Sequence, residues 1–193
     1  MTAVSAILLA AMGPLPATAQ ASPAAELVDV TMGVCYGLAT GEVKLGGSLD
    51  DDTKALKSKN IAFGLRQATM DRLGRQSLGL VSRSLIGERI SGEASVILAV
   101  GGAMPGCRSI LLSKTVDGQD ISVAKLFVDA GWKEAPATNA PGAALNRRIF
   151  VRRDAKGQPY LVNMFTSSSP QSDVRIITTV NAIPPGVQLP EGF

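Results

Sequence analysis

The chain contains no histidine among its 193 residues. Histidine is the most common general base in enzymes and the most common zinc ligand, so its absence argues against both kinds of site. The single acidic run, Asp50–Asp52, lacks the spacing of a calcium loop and is typical of the start of a helix. We therefore predict neither a metal site nor a bound cofactor.

Long apolar runs are also scarce. The chain begins with an apolar run of about ten residues, followed by a proline-containing break and the small residues Ala17–Ala19. These features are typical of a secretory signal peptide, although no Lys or Arg precedes the run. An ordinary N-terminal helix is the competing interpretation. We predict a signal peptide over residues 1–19, with cleavage after Ala21 as the alternative, and a single mature domain over residues 20–193.

A large excess of charge is missing as well. The formal net charge is +3, and the acidic residues are interspersed with the basic ones. Nucleic-acid binding proteins concentrate their basic residues on one patch or stripe, so we predict no nucleic-acid partner. No later stretch is long and apolar enough to cross a bilayer, which needs roughly twenty residues. The expected product is a soluble exported protein.

The only two cysteines are Cys35 and Cys107. In an exported chain an even pair predicts one disulfide, and two buried unpaired thiols are the alternative. No cysteine stands at the predicted cleavage site, so a lipid anchor is not expected. No Asn-x-Ser/Thr sequon is present, which favours a bacterial periplasm over a eukaryotic secretory route. We predict a periplasmic or secreted location.

Apolar periodicity predicts a leading helix over residues 24–40. Gly33, Gly37 and Gly41 recur on one face of that helix, which indicates close backbone packing against a neighbour. Downstream, the chain reads as two copies of a helix followed by four strands, repeat one at about 50–114 and repeat two at about 117–181. The fold class that we predict is α+β, with antiparallel sheet, three helices and an internal duplication.

The elements of the two repeats follow from cap residues, apolar runs and turn residues. The predicted helices cover residues 52–63 and 120–130. The predicted strands cover residues 65–69, 77–83, 95–100 and 107–113 in repeat one, and residues 132–135, 147–153, 160–165 and 174–180 in repeat two. Asp154–Gly157 predicts the turn of a hairpin. The proline-rich tail, residues 183–193, is expected to pack its apolar residues on its own domain, with a recognition tail as the alternative.

One pattern with catalytic precedent is present, Ser122-x-x-Lys125 at the start of the second repeat's helix. The same spacing places an amine beside the hydroxyl that it activates in penicillin-binding proteins and serine β-lactamases. The accompanying motifs of those enzymes are broken here and occur in a different order. We interpret Ser122 as an N-terminal helix residue, and keep a small serine hydrolase or transferase as the alternative function.

Two further features suggest binding. Alternation along the strand 147–153 places Arg148 and Arg152 on one face, where Arg175 could join them in an anion-binding strip, since guanidinium groups suit carboxylate and phosphate. Solvated or edge-protecting arginines are the competing interpretation. The glycine-rich loop Gly101–Gly106, with Met104, could form a contact surface. The function that we predict is a non-catalytic binding or structural module of the cell envelope, whose partner is another envelope protein or an anionic ligand.

Overall fold

An eight-stranded antiparallel sheet forms the centre of the fold. The computed structural model describes residues 21–77, 79, 81, 85–101, 106–115, 118–137, 139, 145–167, 169–189 and 193. The strands are β1 (Ala62–Phe63), β2 (Leu85–Ser91), β3 (Ala94–Val100), β4 (Cys107–Leu112), β5 (Lys133–Ala135), β6 (Leu145–Arg153), β7 (Pro159–Ser167) and β8 (Val174–Ala182). The predicted α+β class with antiparallel sheet is confirmed. The predicted signal peptide, residues 1–19, lies outside the described residues.

The strands form two meanders that meet at a seam. Strands β1 to β4 follow one another across one half of the sheet, and β5 to β8 follow one another across the other half in the opposite direction. The two halves are joined where β4 pairs antiparallel with β8. The turn between β6 and β7 is the predicted hairpin, since the Gly157 N–H donates to the Asp154 carbonyl at 3.0 Å.

The described residues contain four helices where the sequence predicted three. The leading helix consists of α1 (Pro23–Val30), a π-helical turn (Thr31–Tyr36) and α2 (Gly37–Thr40), in agreement with the predicted span 24–40. The others are α3 (Leu49–Lys57), α4 (Gln67–Ser77) and α5 (Gln119–Asp129). The additional helix is α4, which lies between β1 and β2.

The errors in the predicted helix and strand bounds lie in the segment that was predicted as repeat one. Helix α3 ends at Lys57 because the chain turns at Ser58–Asn60, where Asn60 has a φ of 55°. The predicted strand 65–69 is wrong, since that segment runs into α4. Of the predicted strand 77–83, Ser77 belongs to α4, and residues 78, 80, 82 and 83 lie outside the described residues. The second strand of this half, β2, begins at Leu85.

Three helices cover one face of the sheet. The leading helix lies over the seam and contacts β4 and β8, α3 packs beside β1, and α5 packs beside the leading helix and β5. Of the three spaced glycines, only Gly37 is packed closely, because a Cβ there would meet Val43 Cγ2 at 2.5 Å. Gly33 has open space beside it, and Gly41 ends the helix with a φ of 81°.

The opposite face is covered by two different elements. Leu73 of α4 packs against Ile97 and Ile110 over the first half of the sheet. The tail covers the second half, where Leu189 and Phe193 pack around a small cluster of Ala135, Val151 and Ile183. Val187 of the same tail is 54% exposed. The expectation that the tail packs on its own domain is therefore met by Leu189 and Phe193, but not by Val187.

A disulfide and a group of buried hydroxyls fix the leading helix to the seam. Cys35, in the π-helical turn, is bonded to Cys107 at the start of β4, so the predicted disulfide is confirmed. One turn earlier, the Thr31 hydroxyl lies 3.1 Å from Ser109 Oγ on β4 and 2.8 Å from Thr178 Oγ1 on β8. The helix is thus connected to both strands of the seam.

A buried carboxylate holds α4 in place. The Glu88 side chain, only 2% exposed, accepts hydrogen bonds from the Arg66 N–H at 3.0 Å and from Thr69 Oγ1 at 2.5 Å. The Arg66 guanidinium also donates to it, at 2.9 Å. Burial by itself raises the pKa of Glu88, but these hydrogen bonds outweigh it and hold the pKa below its ordinary value. The capping group of α4 therefore comes from a neighbouring strand.

We expect Glu88→Gln to lower the free energy of unfolding at neutral pH by about 1–3 kcal/mol, because the charge-assisted hydrogen bonds to Arg66 are lost. Since the folded-state pKa is lowered, this contribution is present above the unfolded value of about 4.3 and is lost as the pH falls through the folded value. Urea unfolding of both proteins between about pH 7 and pH 3 measures it. A difference in unfolding free energy that stays constant over this range would contradict the assignment.

Candidate functional site

Ser122 and Lys125 each interact with a different partner, and not with one another. The Ser122 hydroxyl donates to the Gly118 carbonyl at 2.9 Å, within its own helix. Lys125 Nζ forms an ion pair with Asp129 at 2.6 Å. Both residues are exposed, and neither lines any of the four grooves described for this chain. A Ser–Lys dyad requires the amine beside the hydroxyl, so this geometry gives the hydrolase alternative no support.

Arg148 and Arg152 do share a face of β6, as alternation predicts, but each is engaged locally. Arg148 makes a two-pronged ion pair with Glu134 on β5, at 2.6 and 2.7 Å, and this hydrogen bonding lowers the pKa of Glu134. Arg152 donates to the Ala130 carbonyl and lies over the Tyr36 ring, 5.7 Å from its centroid. Both side chains are partly exposed, but each guanidinium already has a partner within the fold.

Arg175 lies on the opposite face of the sheet. Its neighbour Ile176 belongs to the core under the helices, so alternation points Arg175 away from that core. The guanidinium is 3% exposed and donates to the backbone carbonyls of Ser113 at 2.9 Å and Ser169 at 2.7 Å. The three arginines are therefore not brought together, and no anion-binding strip is formed by them.

The glycine-rich loop is described only at its ends. The Gly101 N–H donates to the Gly106 carbonyl at 2.7 Å, which closes the loop between β3 and β4. Met104, the proposed contact residue, lies outside the described residues.

An aromatic cluster lies at the end of the sheet that carries the β6–β7 turn. Tyr36 of the leading helix meets Trp132 and Tyr160 edge to face, with ring centroids 5.5 and 5.1 Å away. Phe127 of α5 lies 6.3 Å from Trp132 and 5.1 Å from Phe150. The chain's one tryptophan and both of its tyrosines meet here. This cluster packs β5 and the turn against the helices.

A groove opens beside this cluster on the opposite face, and we call it the tail groove. One wall is the turn at Arg153–Pro159, and the other is the tail segment Ile183–Leu189. It comprises two adjoining cavities of about 690 and 230 Å³, which share Arg153 and Phe193. Val151, 1% exposed, contributes to the smaller cavity. The groove is thus open to solvent, and apolar side chains of the tail and of β6 share its lining with polar groups of the turn.

Cationic side chains surround the tail groove. Lys133 lies at the smaller cavity, Lys156 at the larger, and Arg153 between them. All three are exposed. Arg153 donates to the Gly157 carbonyl, and Lys133 Nζ lies 6.0 Å from the centre of the Phe193 ring. None of the three forms an ion pair with a carboxylate of the described ranges.

The Asp154 carboxylate, which lies in the turn, serves the turn itself. Its Oδ1 accepts the N–H groups of Lys156 and Gln158, both at 2.9 Å, and its Oδ2 lies 3.5 Å from the Tyr160 hydroxyl. Asp154 thus sets the shape of one wall of the groove. The three exposed cations, together with the partly buried Arg152 at the smaller cavity, make the groove cationic, and this carboxylate offsets them in part.

A second groove, beside β1 and β2, has a different character. Its charged groups are Arg89, Glu26, Asp29 and Glu88. Arg89 Nη1 donates to Glu26 at 2.7 Å and to Asp29 at 2.5 Å, and Glu88 accepts from Arg66. Arg89 also donates to the Lys59 carbonyl. The charges of this groove are used within the fold, so the tail groove is the better candidate for a partner site.

Sequence reasoning missed the tail groove because it joins residues far apart in the chain. The hairpin turn and the packed tail were each predicted, but Lys133 meets Arg153 only through the pairing of β5 with β6. The available signal was the cluster of basic residues around the turn, Arg152, Arg153 and Lys156. Strand-end solvation was the competing interpretation for the arginines, and Lys156 was treated only as part of the turn.

The described residues contain no group of His, Cys, Asp and Glu side chains arranged to hold a metal ion. Comparison of the chain with protein-family models, with curated proteins and with solved structures found no match.

Proposed function

We propose that this protein is an exported, non-catalytic binding module of the cell envelope that captures an anionic partner through the tail groove. The observation that carries the proposal is the set of three exposed cations, Lys133, Arg153 and Lys156, around a groove whose lining includes apolar side chains of the tail. Cations beside low-dielectric walls concentrate the field and attract ligands of opposite charge. The apolar side chains add affinity that charge alone does not provide.

The proposed location rests on the disulfide together with the signal peptide that the first nineteen residues predict. Disulfides persist in oxidising compartments such as the periplasm and are rare in the cytosol. Cys35 and Cys107 are 1% and 4% exposed, so the bond is shielded from thiol exchange, as in a structural disulfide. No helix in the described ranges is long and apolar enough to cross a membrane.

We also propose that the two halves of the sheet derive from a duplicated unit. In each half one helix, α3 or α5, precedes four antiparallel strands, and both helices lie on the same face. The strand orders of the halves mirror one another across the β4–β8 seam. The added helix α4 and the tail both lie on the other face, α4 over β3 and β4 and the tail over β5 and β6, and this face is where a duplicated unit would be free to diverge.

The binding proposal is tested with a fluorescein-labelled oligoglutamate, followed by fluorescence anisotropy. We expect the triple variant Lys133→Glu/Arg153→Glu/Lys156→Glu to bind the probe at least roughly tenfold more weakly, because the field around the groove changes sign. Binding to the unaltered protein should weaken as salt rises, since exposed charges are screened.

The matched control is Lys57→Glu, which removes an equally exposed lysine from the last turn of α3, beside the opposite edge of the sheet. This variant should keep its affinity for the oligoglutamate. Equal losses in Lys57→Glu and in the single variant Arg153→Glu would show that net charge, and not the tail groove, governs binding. Absence of any binding by the unaltered protein would overturn the proposed function.

A further inference from the structure

We infer that the tail groove takes its partner as an extended peptide segment with acidic residues at alternate positions. The inference rests on the proposed function, because it names the partner of the same groove. It is drawn from the spacing of the cations, from the use of the backbone amides in the turn and from the apolar side chains in the walls.

The spacing of two cations matches an extended chain. Lys133 on β5 lies opposite Val151 on β6, and Arg153 follows two residues later on the same face. Diagonal neighbours of this kind have side chains about 7–8 Å apart. Side chains two residues apart in an extended peptide lie on one side at nearly the same distance, roughly 7 Å. Carboxylates at alternate positions can therefore reach both cations, whereas adjacent carboxylates point to opposite sides.

The turn is not built to hold a single phosphate. Phosphate sites in loops use several backbone N–H groups that point into one concavity. Here the N–H groups of Lys156 and Gln158 both donate to the Asp154 carboxylate, and the N–H of Gly157 donates to the Asp154 carbonyl. The amides are occupied within the turn, so recognition depends on side-chain cations spread along the groove.

The apolar side chains in the walls indicate that the segment also carries an apolar side chain. Val187 is 54% exposed, and the Phe193 ring lies between the two cavities beside Lys133. A membrane surface would be met by a broad cluster of basic residues. The cations here instead flank a groove, and the Asp154 carboxylate lies in the turn that forms one of its walls. These features favour a peptide over an anionic bilayer.

The test compares two labelled peptides of identical composition, Glu-Thr-Glu-Thr-Leu-Thr and Glu-Glu-Thr-Thr-Leu-Thr, by fluorescence anisotropy. We expect the alternating peptide to bind about fivefold more tightly or better, because only it can engage Lys133 and Arg153 together. Lys133→Ala should remove this preference, and Lys57→Ala should leave it unchanged. Phosphatidylglycerol vesicles and inorganic phosphate serve as competing probes.

The outcomes separate this inference from the proposed function. If the protein binds the two peptides equally and the triple charge-reversal variant binds both more weakly, the inference is overturned and the proposed function stands. Vesicles that bind when neither peptide does, or phosphate that displaces the alternating peptide at equal concentration, would also overturn the inference. Failure of both peptides and of oligoglutamate to bind would overturn both proposals.

Discussion

The variant Cys35→Ala/Cys107→Ala is expected to lose about 4 kcal/mol of unfolding free energy. The disulfide joins residues 72 apart in the sequence, so in the unfolded chain it closes a long loop and removes much conformational freedom. Both cysteines are buried, and alanine is chosen because it adds no polar group to the core. For a domain of this size the loss corresponds to a fall in Tm of roughly 10 °C.

Urea unfolding of the oxidised protein, the double variant and the chemically reduced protein measures this effect. The reduced protein should behave like the double variant, because both lack the loop constraint. The single variant Cys107→Ala serves as the control for the removed side chain. A midpoint for the double variant equal to that of the oxidised protein would show that the leading helix needs no covalent attachment to β4.

The second large effect is expected from Trp132→Ala, with a loss of about 3–5 kcal/mol. Trp132 is 1% exposed and contacts Tyr36 of the leading helix and Phe127 of α5. Its removal leaves a cavity at the junction of two helices and the sheet edge. Lys133, the next residue, is held at the tail groove by this packing, so the variant should also bind oligoglutamate more weakly.

The conservative variant Trp132→Phe separates packing from hydrogen bonding. The indole Nε1 has no hydrogen-bond partner among the described residues, so phenylalanine should keep most of the stability. Thermal unfolding followed by circular dichroism compares the three proteins without relying on tryptophan fluorescence. A loss for Trp132→Phe as large as that for Trp132→Ala would contradict the packing explanation.

The elements that were predictable from sequence are those fixed by local chemistry. The β6–β7 hairpin follows from Asp154 and Gly157, because the carboxylate accepts the amides of the turn and glycine takes a φ of 81°. Helix α5 follows from Asp120 in its first turn and from Gly131 just beyond its end. The disulfide followed from an even pair of cysteines in a chain with a predicted signal peptide.

The elements that were not predictable depend on distant residues. Helix α4 begins where Glu88, nineteen residues beyond Thr69, accepts its capping hydrogen bonds, and no local pattern contains that information. The same holds for Arg175, whose burial on the opposite face depends on the carbonyls of Ser113 and Ser169. The tail groove depends on the register of β5 against β6.

The position of the leading helix determines how late in the synthesis of the chain this helix can complete its packing. Thr31 is in contact with Thr178, 147 residues later in the sequence, and such distant contacts slow folding because a long loop must close first. A chain that emerges from a membrane N-terminus first would expose the apolar side of this helix until almost all of the sheet had followed. Cys35 could likewise form its disulfide only after Cys107 had emerged. The last strand to arrive, β8, completes the surface on which the first helix rests.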